Sequence, residues 1–243
     1  MIISEKFTPS SRSGGTAVSK LPSKLVKTAD LYECDVDYIS PLFTSSEYPW
    51  EILPKIKAHV ASLVETGIPG FTEYAPGILI GEGVKIAATA VIEPPAVIGA
   101  GTEIRPGAYL RGNVITGPDC VLGNSSEFKN CVLLRHVQAP HYNYVGDSIL
   151  GNCAHMGAGA VCSNLKSDGK AVVVHGDVDY PTNLRKVGGI LADGADVGCG
   201  CVVNPGTVVG KGTSVYPLVA LRGVIPGGCI VKSADTIIPR KEN

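Results

Sequence analysis

Aromatic and charged residues are both scarce in this chain. Phe, Trp and Tyr make up 6% of the 243 residues and Asp, Glu, Lys and Arg 18%, whereas Gly occurs 30 times and Pro 17 times. A core with so few aromatic side chains must rely on small and branched aliphatic ones. This composition is typical of a repetitive β architecture rather than of a compact mixed globule.

Net charge and long apolar segments are lacking as well. The formal net charge is −1 and the isoelectric point about 6.5, so no whole-molecule field attracts nucleic acid or an anionic membrane. No apolar run approaches the roughly 20 residues of a membrane-spanning helix. Residues 1–15 are polar and Ser-rich, unlike a secretory signal. We therefore expect a cytoplasmic protein with neither nucleic acid nor membrane as partner.

The eight cysteines do not form a regular framework. Their spacings are irregular and the chain is long, so we expect reduced thiols rather than disulfides. Cys199 and Cys201 are too few ligands for a zinc site, and we expect no metal.

A residue suited to a protein interior recurs every six positions. The series runs Ile80, Ile86, Ile92, Ile98, Ile104, Leu110, Thr116, Leu122, Phe128, Leu134, and resumes at Leu150, Met156 and Cys162 and again at Leu191, Val197, Val203, Val209, Val215 and Leu221. A period of six fits neither a helix nor a simple hairpin strand, but it fits short straight runs joined by tight corners. We interpret residues 135–149 and 163–190 as insertions, where binding residues of a solenoid are commonly found.

This period predicts an all-β solenoid over residues 78–232, preceded by an N-terminal region of residues 1–77 and followed by a tail of residues 233–243. Residues 1–28 are polar and predict an arm. Residues 48–66 predict an amphipathic helix with Ser46 as N-cap, Pro49 in its first turn and Gly67 as C-cap. We expect this short helical region to cap the first coil.

Three stretches resemble a known family. They are Ser-Ser-Glu-Phe-Lys-Asn at 125–130, Ala-Pro-His-Tyr-Asn-Tyr-Val-Gly-Asp-Ser at 139–148 and Met-Gly-Ala-Gly-Ala-Val-Cys-Ser-Asn at 156–164. Over residues 80–225 the chain resembles the hexapeptide-repeat acyltransferases, and in particular the acetyltransferase half of the bifunctional uridyltransferase/glucosamine-1-phosphate acetyltransferases. The resemblance implies a left-handed parallel β-helix of three hexads per coil, roughly six coils here, a homotrimer and acetyl-CoA as co-substrate.

The resemblance also implies a set of site residues. Six residues fall at the family's separations of 18, 12, 3, 20 and 6 positions: Arg111, Lys129, His141, Tyr144, Asn164 and Lys170. Eighteen residues make one coil, so Arg111 and Lys129 should stack and bind a phosphate. Arg105 is an alternative to Arg111 as the phosphate-binding arginine, because its Arg-Pro-Gly motif also resembles the family, although the spacing favours Arg111. Tyr144 and Lys170 are the family's further substrate contacts.

The expected chemistry is general base catalysis without a covalent intermediate. His141, in a loop of the first insertion, would accept a proton from the attacking amine. Glu127 would orient His141 or bind that amine. Asn164 would donate its amide to the thioester carbonyl or bind the sugar.

Four residues match or adjoin the family's acetyl-CoA contacts, namely Ala158, Gly159, Cys199 and Arg222. Two residues depart from the family pattern: His155 replaces an Asn, and Leu165 replaces the Tyr after Asn164. Together with the longer second insertion and its Arg185 and Lys186, they leave the acceptor open between glucosamine 1-phosphate, another amino-sugar phosphate and a nucleotide sugar.

Two other functions fit parts of the sequence. A non-catalytic sugar-phosphate-binding or scaffold trimer would account for His155 and Leu165. A γ-type carbonic anhydrase shares the fold and uses the spacing of His136 and His141, but it needs a third histidine about two coils upstream, and none lies between His59 and His136 unless His155 substitutes. We do not expect nucleotidyl transfer, because residues 1–78 contain no Gly-rich nucleotide-binding segment.

Overall fold

The structure is a computed structural model that describes residues 23–241; the greater part of the predicted arm, residues 1–22, lies outside them. Short helices come first. They are the α-helices Thr28–Leu31, Ser40–Thr44 and Ile56–Thr66 and the 3-10 turns Pro49–Glu51 and Leu53–Lys55. All later regular structure is β.

Parallel strands stack into three faces, and two long strands, Glu127–Leu133 and Tyr144–Leu150, turn a corner and serve two faces each. The first face contains Ile78–Gly81, Ala96–Ile98, Val114–Thr116, the second halves of the two long strands, Ile190–Leu191, Val208–Val209 and Val224–Ile225. The second face contains Lys85–Ile86, Glu103–Ile104, Val121–Asn124, Gln138–His141, His155–Met156, Asp196–Val197, Ser214–Val215 and Cys229–Ser233. The third face contains Val91–Glu93, Tyr109–Arg111, the first halves of the two long strands, Val161–Cys162, Val202–Val203 and Ala220–Leu221. The predicted left-handed parallel β-helix is confirmed.

Antiparallel strands cover both ends of the stack. Phe71–Ala75 pairs with Ile78–Gly81 at the beginning, and Thr236–Pro239 pairs with Cys229–Ser233 at the end. An uncovered terminal strand would present unpaired N–H and C=O groups. The residues predicted as a tail from 233 onward therefore include a strand that closes the final coil.

The interior follows the six-residue period for the first coils. Ile98, Ile104, Leu110, Leu122 and Phe128 are fully buried in one continuous cluster. Cys120, Cys162 and Cys201 belong to the same cluster, and all eight cysteines are free. Small buried thiols behave here as apolar filler.

The period then slips by one residue, which the hexad count did not predict. Glu127 lies opposite Tyr109, 18 residues earlier, but opposite Tyr144, only 17 residues later. Leu133 therefore enters the interior, while Leu134 points outward. Residues 135–149 are consequently a regular coil and not an insertion, and eight strands rather than about six stack on the first face.

The first face is apolar on its outer side as well. Its outward residues are buried in a second cluster: Leu79, Val97, Ile115, Val132, Ile149, Ile190, Val208 and Val224. Residues 26–68 pack over them with Leu31, Ile39, Ile52, Ile56 and Val60, each fully or almost fully buried. We call residues 26–68 the covering segment.

The predicted N-terminal helix is shorter than expected and lies elsewhere. Two 3-10 turns precede the α-helix Ile56–Thr66, because Pro54 cannot donate a backbone hydrogen bond. Gly67 ends the helix with φ of 75°, as predicted. Ser46 does not cap it; its hydroxyl donates to the carbonyl of Leu42. The helix packs across the first face rather than over the first coil, because the apolar side chains that point outward lie on that face.

The insertion at residues 163–189 also folds onto the first face. Its hairpin, Val173–His175 with Asp179–Pro181, buries Val174 in the same cluster as the covering segment. The Tyr180 ring lies 6.0 Å from the Trp50 ring, and Trp50 stacks on Tyr48 at 4.9 Å. The insertion and the covering segment thus form one layer.

No helix within residues 23–241 has the length and apolar character that crossing a bilayer requires.

Trp50→Ala should destabilise the protein by about 3–5 kcal/mol, because it removes a 4% exposed ring from the layer over the first face. Far-UV circular dichroism during urea unfolding would measure the change. Tyr74→Ala, at a ring that is 54% exposed, is the control and should change stability by no more than about 0.5 kcal/mol. Equal effects of the two substitutions would show that the layer does not stabilise the solenoid.

Candidate functional site

The third face carries the densest group of polar side chains predicted for the site. Tyr109, Glu127 and Tyr144 lie opposite one another in successive strands. By the same register Arg111, Lys129 and Gly146 form the next column. The structure therefore places Arg111 and Lys129 in neighbouring strands, about 4.8 Å apart along the stack.

Arg111 is paired within the face. Its Nη1 lies 2.5 Å from Oε1 of Glu127, and its guanidinium lies 5.9 Å from the centre of the Tyr109 ring. The hydrogen bond to Glu127 raises the pKa of Arg111. The partner of Glu127 in the structure is thus Arg111, and its role in orienting His141 or binding the amine stays a prediction. Because this ion pair is exposed to solvent and therefore weak, a phosphate can displace it.

Lys129 is paired with Asp147, a residue that the sequence did not point to. Asp147 is 6% exposed and accepts three side-chain hydrogen bonds. The donors are Lys129 Nζ at 3.3 Å, Asn130 Nδ2 at 2.9 Å and Asn164 Nδ2 at 2.6 Å. A buried carboxylate needs such donors, because burial without them is costly. Asp147 therefore fixes Lys129 and Asn164 relative to each other.

Asn164 is held from a second side by Tyr144. Its Nδ2 donates to the Tyr144 hydroxyl at 3.2 Å as well as to Asp147. Both amide hydrogens are thereby engaged, so the geometry favours a sugar-binding role for Asn164 over donation to the thioester carbonyl. Burial and nearby Glu127 raise the pKa of Tyr144, which keeps its phenol protonated.

Asp147 occupies a corner between the third and first faces with φ of 47°. Asn130 occupies the same corner one coil earlier, also with φ of 47°. Asp and Asn are favoured in this left-handed conformation, so in the sequence Asp147 looks like an ordinary turn residue. The neighbouring Gly146 is the feature of the sequence that indicates close packing here. A Cβ at this position would collide with the Tyr144 hydroxyl and lie 2.8 Å from Asn164 Nδ2.

His141 lies at the edge between the second and third faces. It ends the strand Gln138–His141 and is not in a projecting loop, because residues 135–149 are a regular coil. The backbone N–H of His141 donates to Asn143 Oδ1 at 3.0 Å, and its backbone carbonyl accepts from the Gly159 N–H at 3.0 Å. The imidazole is exposed.

Three predicted acetyl-CoA contacts share this edge with His141. By register Ala158 follows His141 in the next coil, and Cys199 follows Ala158 in the coil after that. Gly159 lies beside Ala158 with φ of 71°. His141, Ala158, Gly159 and Cys199 thus line one exposed edge, which we call the histidine edge.

The remaining predicted residues lie apart from this group. On the second face Arg105 pairs with Glu103 at 3.2 Å, and His155 Nδ1 lies 2.8 Å from Asp196 Oδ1. Lys170 lies in a turn of the insertion. Arg222 shares the column of Lys129 but lies four strands along, about 19 Å away.

The zinc-binding alternative finds no support in this arrangement. His136 precedes the strand Gln138–His141 and His141 is the last residue of that strand, so the two lie about 16 Å apart along the backbone. Within residues 23–241 no three His, Cys, Asp or Glu side chains come together as metal ligands.

A pocket of about 250 Å³ opens beside Asp147. Asp147 and Asn130 form its floor. Leu53 and Pro54 of the covering segment form one wall, and the end of the insertion forms the other with Leu184, Arg185 and Lys186. The backbone bridge between Leu165 and Lys186 holds the two ends of the insertion together at this point.

The family described as bacterial transferase hexapeptide (six repeats) matches residues 77–112. Residues 77–112 are hexapeptide repeats. The same stacking of parallel strands continues through the later coils, where an insertion and shortened coils alter the period.

The chain is similar to bifunctional proteins from archaea. It is 27% identical to the bifunctional protein GlmU of Methanococcus vannielii over 99% of this chain and 58% of the relative. It is 31% identical to a bifunctional sugar-1-phosphate nucleotidylyltransferase/acetyltransferase of Sulfurisphaera tokodaii over 70% of this chain and 43% of the relative. The chain thus spans about half the length of the curated relatives it matches.

A solved structure of PerB from Caulobacter crescentus, in complex with CoA and GDP-perosamine, is 17% identical to this chain. The match has a TM-score of 0.38 and covers 60% of this chain and 52% of the other.

Asp147→Ala should lower the free energy of unfolding of the protein by about 1–3 kcal/mol, because three donors lose their common acceptor. Urea unfolding measures the loss. The control is Glu65→Ala at an exposed carboxylate of the helix Ile56–Thr66, where a change of at most about 0.5 kcal/mol is expected. An Asp147→Ala protein as stable as the control would contradict the role of Asp147 as the centre of the network.

Proposed function

We propose that this protein is a CoA-dependent N-acyltransferase that moves an acetyl group from acetyl-CoA to the amine of an amino-sugar phosphate or nucleotide sugar. The observation that carries the proposal is the polar group on the third face, in which Arg111 pairs with Glu127. Beside this pair, Asp147 joins Lys129 to Asn164, and Asn164 also donates to Tyr144. The similarity to the bifunctional sugar-1-phosphate nucleotidylyltransferase/acetyltransferase of Sulfurisphaera tokodaii supports it.

The acceptor binds across the third face in this scheme. Arg111 and Lys129, adjacent in the stack, hold its phosphate by charge-assisted hydrogen bonds. Tyr144 and the carbonyl oxygen of Asn164 contact the sugar. Because Asp147 already holds Lys129 and Asn164 in place, little freedom of these two side chains is lost on binding.

The chemical step is direct transfer. His141 accepts a proton from the amine as the amine nitrogen attacks the thioester carbonyl, and the carbon–sulfur bond then breaks. The sulfur leaves as CoA thiolate, which takes up the proton, and the amide remains on the sugar. No residue becomes covalently modified.

Acetyl-CoA lies along the histidine edge in this scheme. Ala158 and Gly159 present little side chain there, so the thioester can approach the backbone closely. The Gly159 N–H is already bonded to the His141 carbonyl. Cys199 lines the next coil. Arg222 is too far from Lys129 for a role in the chemical step, but its exposed guanidinium can meet a phosphate of the extended CoA chain.

The functional unit in this proposal is a homotrimer. The layer of residues 26–68 and the insertion already covers the first face, whereas Tyr142, Tyr216 and Leu218 are exposed next to the histidine edge, Leu218 by 83%. A second copy packed there would cover these side chains. It would also bring a second face with Arg105 and His155 towards the third face of its neighbour, which a single chain does not achieve.

His141→Ala should lower kcat for acetyl transfer by about 10²- to 10⁴-fold, because the amine loses its general base. Thiol release from acetyl-CoA, followed over a panel of amino-sugar phosphates and nucleotide amino sugars, measures the rate. His136→Ala is the matched control, since this exposed histidine lies beyond the other end of the same strand; it should keep the wild-type rate.

A wild-type rate in His141→Ala would remove the base from the scheme. CoA binding without thiol release on any acceptor would instead identify the non-catalytic binding protein, which the second-face position of His155 and the exposed Leu165 favour.

A further inference from the structure

We propose that the acceptor is a nucleotide-linked amino sugar, and that Arg185 and Lys186 bind the second phosphate of its diphosphate in the pocket beside Asp147. The inference rests on the proposed function for the sugar end of the acceptor. It names the substrate class that the site takes.

The order of the side chains along one coil gives the first argument. From His141 the chain continues through Tyr144 to Gly146, which lies opposite Lys129, and then to Asp147 at the corner. The pocket with Arg185 and Lys186 begins at Asp147. An acceptor whose amine faces His141 and whose first phosphate meets Lys129 therefore points its phosphate end into this pocket.

The charge of the pocket gives the second argument. Asp147 is saturated by three donors, one of them the ammonium of Lys129. Arg185 and Lys186 are exposed and make no ion pair within residues 23–241. Three cations thus stand around one carboxylate, which leaves an excess of positive charge that suits an anion.

The position of Arg185 adds to that charge. Its Nη2 lies 3.7 Å from the Cβ position of Gly169, next to Lys170. Lys170, a predicted substrate contact with no place on the third face, is thus the next residue in sequence after the glycine that Arg185 approaches. A guanidinium and ammonium groups converging from one side can share the oxygens of a phosphate.

The walls of the pocket suit the nucleoside that is attached to the diphosphate of a nucleotide sugar. Pro54 is exposed on one side, and Leu184 is half-buried on the other. These apolar surfaces offer contact area to a ribose and base beyond the second phosphate, which a sugar monophosphate does not possess.

The test compares ligands and variants of the full chain. Isothermal titration calorimetry should show that UDP binds the wild type more tightly than inorganic pyrophosphate does. The double variant Arg185→Ala/Lys186→Ala should bind UDP about 10- to 100-fold more weakly, because charge-assisted contacts to a phosphate are lost. Lys24→Ala/Lys85→Ala, which removes two exposed lysines elsewhere, is the matched control and should bind UDP like the wild type.

Turnover provides the second readout. In the thiol-release assay the wild type should have a higher kcat/KM for UDP-glucosamine than for glucosamine 1-phosphate, and the double variant should lower this ratio by about 10- to 100-fold. No UDP binding, or equal binding by the wild type and the double variant, would overturn the inference. UDP and pyrophosphate binding equally would overturn its nucleoside part.

The outcomes separate this inference from the proposed function. Acetyl transfer to glucosamine 1-phosphate without UDP binding would overturn the inference and leave the acyltransferase. UDP binding that depends on Arg185 and Lys186, without acetyl transfer to any acceptor, would support the pocket and overturn the acyltransferase.

Discussion

The rest of the structure depends on the burial of the outer side of the first face. Most solenoid faces are apolar inward and polar outward, but here Ile115, Val132 and Ile149 point away from the interior and are fully buried. Leaving such residues exposed would cost about 1.5–3 kcal/mol each. The chain therefore folds residues 26–68 and the insertion over this face, and the second and third faces remain open.

This coverage also places the chemistry. The insertion leaves the coil after Asn164 and returns at Arg185 and Lys186, so its two ends meet at the corner occupied by Asp147. The buried Asp147 carboxylate accepts hydrogen bonds there from Lys129 of the third face and from Asn164 at the start of the insertion. The covering layer, which stabilises the fold, thereby also forms two walls of the proposed acceptor site.

The sequence predicted the solenoid and its first coils well, because a strict period of six reports the interior residues directly. It failed where a coil has 17 residues: the slip moves Leu134 outward and made a regular coil look like an insertion. The stacking of Arg111 and Lys129 followed from one full coil of spacing. Their carboxylate partners could not be predicted. Glu127 reaches Arg111 only through the register of the strands, and Asp147 reaches Lys129 only through a left-handed corner that looks like an ordinary turn in the sequence.

The proposed acyltransferase requires that acetyl-CoA binds along the histidine edge. Alkylation by iodoacetamide, read out by mass spectrometry, tests it directly, because Cys199 lies on that edge while Cys153, the other exposed cysteine, lies at a different corner. The remaining thiols are at least half-buried, and burial raises the pKa of Cys34 to about 11 and that of Cys120 to about 12. The account predicts that acetyl-CoA protects Cys199 and leaves Cys153 reactive. Unchanged alkylation of Cys199 at saturating acetyl-CoA would contradict it.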